Sequence, residues 1–221
     1  MPRLQVIDID PVDVDTDGIA ASQTPAAGGT QNLTLGGALT SGGVYTSADG
    51  GSRQLVITAA ANDSARTFTV TGTDADGRAQ TEAIAGPNAT TVESSKYFLT
   101  VTQISVDDDT AGAITVGTVD ELASKTIRLN RHSTTGALIQ IMTANGANID
   151  VTAQVSLVNP DDYTDQEAIP WIATQDTDLV GATQAANAIG SLDVHAAAFR
   201  LIVNSYSTTA EVQAYISQGY K

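Results

Sequence analysis

Two histidines, two aspartate clusters and a spaced series of aspartates are the residues whose types could do chemistry in this chain. His132 stands in Arg128-Leu129-Asn130-Arg131-His132-Ser133, and His195 in Leu192-Asp193-Val194-His195. On a strand Asp193 and His195 share a face, the nearest approach to a base and its orienting carboxylate. No nucleophile motif accompanies them, so an exposed or turn-capping histidine is the simpler reading. The chain has no Gly-x-Ser-x-Gly elbow, no phosphate loop ending in Gly-Lys-Ser/Thr, no Gly-x-Gly-x-x-Gly and no His-Glu-x-x-His. Asp74-Ala75-Asp76-Gly77 is similar to the opening of a calcium loop, and Asp107-Asp108-Asp109 offers the hard oxygens that Ca²⁺ prefers. The first lacks a third acidic position and a terminal Glu, which leaves a hairpin turn. The second reads as a solvated loop tip. Cysteine is absent, which excludes disulfides, thiolate metal sites and thiol nucleophiles. The expectation is a chain without a catalytic set, a cofactor or a metal.

The elements that would position any such residues are strands. Ten basic against 25 acidic side chains give a net charge of −15 and a pI near 4.1. Such a field repels phosphate backbones and argues against nucleic acid as a partner. Hydrophobic residues make up 42% and charged residues only 16%, so a core can form beneath a polar, mostly uncharged surface. Asp supplies 20 of the 25 acids and Lys occurs at three positions. Asp forms turns, whereas the scarce Glu and Lys form helices. Met1 to Asp8 has no sustained apolar region, and no apolar run approaches the roughly 20 residues of a membrane span, so neither a secretion signal nor a membrane partner is expected.

Short β-type runs recur between turn signals. Thr67–Thr73 and Ala79–Ile84 alternate cleanly around Asp74-Ala75-Asp76-Gly77, the strongest hairpin signal in the chain. Further strands are expected at 53–58, 97–106, 113–116, 125–130, 137–142, 149–158, 199–204 and 211–217. Val119 to Ser124 reads as a connector with room for a helical turn. The stretch from Tyr163 to His195 is less regular, and its Ala-rich run from Gly181 to Gly190 is diluted by Asn, Thr and Gly. The predicted fold class is all-β, an antiparallel sandwich or jelly-roll-like architecture in two sandwich-like parts. Residues 31–119 would form the first and 120–221 the second, behind an extended N-terminal arm and linker over 1–30. In that arm Val6, Ile7, Ile9, Val12 and Val14 form an apolar edge expected to order against a partner. Trp171, the single Trp, sits between Pro170 and Ile172 and suits a core or subunit-interface anchor better than a sugar platform.

The stretch from Arg66 to Asn88, with Phe68-Thr69-Val70-Thr71-Gly72-Thr73-Asp74, Gly77, Glu82, Ile84 and Gly86-Pro87, resembles a hairpin of tailed-bacteriophage structural proteins. Lys96-Tyr97-Phe98-Leu99-Thr100-Val101-Thr102-Gln103-Ile104 resembles the strand that follows it there. Leu179 to Thr183 and Phe199 to Tyr206 look like a companion sandwich. The resemblance implies a β-sandwich virion protein, non-enzymatic, most in keeping with a head decoration (cement) protein. It also implies a homo-oligomer, a trimer above all, partnered by itself and the major capsid protein and located in virions assembled in the host cytoplasm. A neck or tail-associated virion protein and a receptor- or glycan-binding module are the alternatives. Fold alone does not choose among them.

Overall fold

The computed structural model describes residues 3–130, 137–144, 149–176, 179, 188–192, 195–207 and 210–218. Among them the chain is all-β, with antiparallel sheets, two single-turn 3₁₀ helices and no helix of seven residues or more. Among the described residues no helix is long and apolar enough to cross a membrane. The chain divides into two compact units.

One unit comprises Asp13–Ser47 and Ser52–Val119. One of its sheets runs, in spatial order, through Thr40–Ser41, Val44–Thr46, Thr100–Val106, Thr67–Thr73 and Ala79–Ala85, with Gln31–Asn32 also pairing with Thr100–Val106. Ser52–Ala59 lies between Ile114–Ala123 and Thr91–Glu93, and Ala20–Gln23 pairs with Ile114–Ala123. Alternation aims Phe68, Val70, Ile104 and Val106 from the first set of strands, and Leu55, Ile57, Ile114 and Val116 from the second, into one buried core. The hairpin forms at the expected place. Thr67 pairs with Ala85 and Thr73 with Ala79. Asp74 Oδ1 accepts from the amides of Asp76 and Arg78 at 2.9 and 2.8 Å, and Gly77 takes φ +79°. That is an Asx-type turn closed by the residue that adopts positive φ without strain.

The other unit comprises Met1–Val12, Ala48–Gly51 and Asp120–Lys221. Its four-stranded sheet has the order Arg3–Ile9, Glu211–Gln218, Ala137–Ala144, Ala188–Leu192. A second layer contains Ile172–Ala173, Ile149–Ser156 and Ala198–Tyr206, and Leu122 and Ala123 pair with Val203 and Ile202. Ile139, Ile141, Val212, Ala214 and Ile216 of the four-stranded sheet meet Val151, Ala153, Phe199, Leu201 and Val203 in the core.

Two expectations are corrected. Residues 1–30 do not form a separate arm. Arg3–Ile9 pairs along its length with Glu211–Gln218, from Arg3 opposite Gln218 to Ile9 opposite Val212, and Ile7 and Ile9 are 1% and 0% exposed in the core. From Asp13 onward the same stretch belongs to the other unit, where Ile19 and Ala20 are fully buried. The N-terminal strand's partner lies about two hundred residues away, so local alternation alone shows an apolar edge but not what covers it. The connector at 119–124 is also strand as far as Ala123. The Ala-rich run of 181–190 falls mostly outside the described residues.

Candidate docking surface

His132 and Asp193 lie outside the described residues, and His195 is exposed. Asp74 is committed to its turn. Asp108 Oδ1 accepts from the Gly29 amide at 3.1 Å, and Asp109 Oδ1 accepts from the Gly28 amide at 2.7 Å and from Gln31 Nε2 at 2.9 Å. Asp108 and Asp109 therefore clamp the glycine-rich linker. In the Asp8 to Asp17 series, Asp15 Oδ1 accepts from the Asp17 amide, and Asp15 raises the Asp17 carboxyl above the usual range through a hydrogen bond and its charge. Among the described residues no three His, Asp or Glu side chains are grouped to hold a metal ion.

Amide donation from Asp109 and Gly29, with a smaller contribution from the nearby Arg66 charge, holds the Asp108 carboxyl below its ordinary value. A depressed carboxylate stabilises the fold above its unfolded pKa, near pH 4, and loses that contribution as pH falls through the folded value. Acidification below about pH 4 is therefore expected to loosen the Asp108 hold on Gly29 before the core unfolds. The Gly29 amide resonance should shift towards its random-coil position while core resonances stay in place. Simultaneous loss of both would contradict the clamp.

The six residues expected to bind a partner separate into three groups. Ile7 and Ile9 are core residues, so they are not available for docking. Val6, Val12 and Val14 are exposed at 39%, 38% and 39%. Trp171 is half-buried, and its environment is internal: the indole N–H donates to Gln166 O at 2.8 Å, and Arg200 Cζ lies 4.7 Å from the ring centroid. Arg200 is itself buried and donates to Glu167 and to Gln154 Oε1. Trp171 is thus the cover of a buried ion pair, and its polar handle is already satisfied.

Nine large apolar side chains are exposed among the described residues, and five of them, Leu4, Val6, Leu138, Met142 and Ile189, lie on the outer face of the four-stranded sheet. The register aligns that face in rows across the strands. One row is Leu4, Ser217, Leu138, Ser191; the next is Val6, Tyr215, Gln140, Ile189; the third holds Asp8, Gln213, Met142. No Lys or Arg points outward among the described residues of this face, and its acids, Asp8 and Glu211, sit towards one end. Gln213 Nε2 donates to both, at 3.2 and 3.3 Å, and Tyr215 Oη donates to Gln213 Oε1 at 2.9 Å. The result is a face of apolar and uncharged residues over most of its described area, with two carboxylates towards one end, on a chain of net charge −15. Exposed apolar patches mark interaction sites, because a depletion of charge lowers the desolvation cost of docking.

Sequence reasoning found only Val6 of this face. The available signal was Ala137-Leu138-Ile139-Gln140-Ile141-Met142, a strand apolar on both of its faces, which demands cover on both.

The same unit also holds a cavity of about 350 Å³. Val155, Leu157, Ile172 and Leu192 line it together with Thr174 and Asp176. None of its described lining residues is aromatic, so it lacks the stacking platform that a sugar ring uses.

No protein-family model, curated protein or solved structure matches the chain. The functional reading therefore rests on the surfaces just described and on residues 66–88 and 96–104.

Proposed function

We propose that this chain is a non-enzymatic structural protein of a tailed-phage virion, a capsid decoration protein that cements the major capsid protein lattice. The observation that supports an assembly role is the outer face of the four-stranded sheet: mostly apolar and uncharged on a strongly acidic chain, and presented on paired strands rather than on a loop. Rigid strands lose little conformational entropy on docking, which removes one of the costs of association. The virion setting is supported by the likeness of Arg66 to Asn88 and of Lys96 to Ile104 to phage structural proteins. The net negative charge suits an outer particle surface, away from packaged DNA.

Self-association would strengthen this role, since one docked subunit holds its partner at high effective concentration over the lattice. Adding the purified chain to particles that lack it tests the reading. Saturable binding at a repeated lattice site on the head supports decoration. Binding at a single ring at one vertex would move the chain to the neck or tail, and absence of particle binding would overturn the virion role.

A further inference from the structure

We propose that the outer face of the four-stranded sheet is the interface between two copies of this chain, related by a two-fold axis parallel to the strands. The inference rests on reading that face as an assembly surface and names what occupies it.

Charge selects the face. Two copies each carrying −15 repel over most approaches, and association needs a surface where carboxylates are few and already engaged. This face offers one, because the two acids among its described residues accept from Gln213 and lie towards one end.

The register then selects the symmetry. An axis midway between Glu211–Gln218 and Ala137–Ala144, parallel to both, lays each of these strands over the other in the second copy and keeps the rows in line. Tyr215 then meets Gln140 of the second copy, Ser217 meets Leu138, Gln213 meets Met142, and Val6 meets Ile189. Neither Asp8 nor Glu211 meets its own counterpart. An in-plane axis perpendicular to the strands would instead set Leu4 over Asp8, an apolar group on a carboxylate. Packed sheets are rotated by about 30°, which displaces the outer pairs more than those beside the axis. Tyr215, Gln140 and Leu138 are therefore the central contacts.

Size is sufficient. Four strands about 4.8 Å apart and about seven residues long make a face of roughly 19 by 23 Å. That projects on the order of 400 Å² per copy, and side-chain relief brings the two faces together to about the 1,000 Å² expected of a specific interface. A face that complements itself closes as a dimer, whereas a three-fold ring joins two different patches.

Sedimentation equilibrium of the full chain tests the proposal. The wild type is expected at twice the 22.7 kDa chain mass at micromolar concentrations. Leu138→Asp, at a side chain 52% exposed, should weaken dimerisation by at least about 100-fold while the circular dichroism spectrum stays unchanged and unfolding stays cooperative. Leu157→Asp, equally exposed but off this face, should remain dimeric. Should Leu138→Asp misfold, the milder pair Leu138→Ser and Met142→Gln provides the same comparison. A monomeric wild type, a trimer, or a dimer indifferent to these face variants overturns the proposal. Particle binding is scored separately: a monomer that still binds particles defeats only this interface, and a dimer that never binds them defeats only the virion role.

Discussion

Removal of residues 1–9 is expected to destabilise the chain by about 3–6 kcal/mol, from the loss of two fully buried isoleucines at about 1.5–3 kcal/mol each. Ile7 lies opposite Ala214 and Ile9 opposite Val212, so the truncation also uncovers the flank of the Glu211–Gln218 strand and strips its ladder hydrogen bonds. The end of the segment is tied down as well. The Asp10 amide donates to Asp49 O, the Val12 amide to Asp49 Oδ1 at 2.6 Å, and Tyr206 Oη to Val12 O at 2.6 Å. Gly50, at φ +78°, lets the Ala48–Gly51 loop approach so closely that a Cβ there would stand 2.2 Å from Asp8 O. A loss of this size consumes much of the 5–15 kcal/mol stability of an ordinary domain. Ile9→Ala alone should cost about 2–5 kcal/mol. Urea unfolding followed by circular dichroism measures both changes, and a truncated chain of unchanged stability would show that the segment is an appendage after all.

Arg200→Ala carries the second large effect, about 3–5 kcal/mol. The Arg200 side chain is 5% exposed and that of Glu167 19%, so truncation leaves a largely desolvated carboxylate without its cation. It also removes the donor to Gln154 Oε1 at 2.8 Å and the cation that Trp171 covers. Arg200→Lys keeps the charge but neither the forked donor geometry nor the flat stacking surface, and should recover only part of the loss. A double-mutant cycle with Glu167→Gln separates the pair from general repacking. Coupling within about 0.3 kcal/mol of zero would mean that the ion pair contributes nothing beyond volume.

Local chemistry was legible in the sequence, and distant pairing was not. The Thr67–Thr73 and Ala79–Ala85 hairpin could be read because period-two alternation and the Asp-x-Asp-Gly turn sit within twenty residues and agree with each other. The N-terminal strand has the same alternation, but its direction relative to the core is set by a partner near the other end of the chain. Val6, Ile7 and Ile9 therefore looked like one edge, although the pleat sends Val6 out and the two isoleucines in. The candidate docking face is harder still. Leu4, Leu138, Met142 and Ile189 come from strands separated in sequence, and each looks like a core residue until the register assigns its side of the sheet. Trp171 illustrates the converse. Its apolar neighbours suggested an anchor, and the structure supplies an internal one through Arg200, a cation whose burial no local pattern announces.

The proposed role of this chain is to bury surface in an assembly. The temperature at which particles release their DNA, measured with the chain present, absent and added back, tests it most directly. Particles lacking the chain should keep their form but release DNA several degrees below intact ones, and adding back the purified protein should restore the higher temperature. Identical release temperatures in all three preparations would contradict the account.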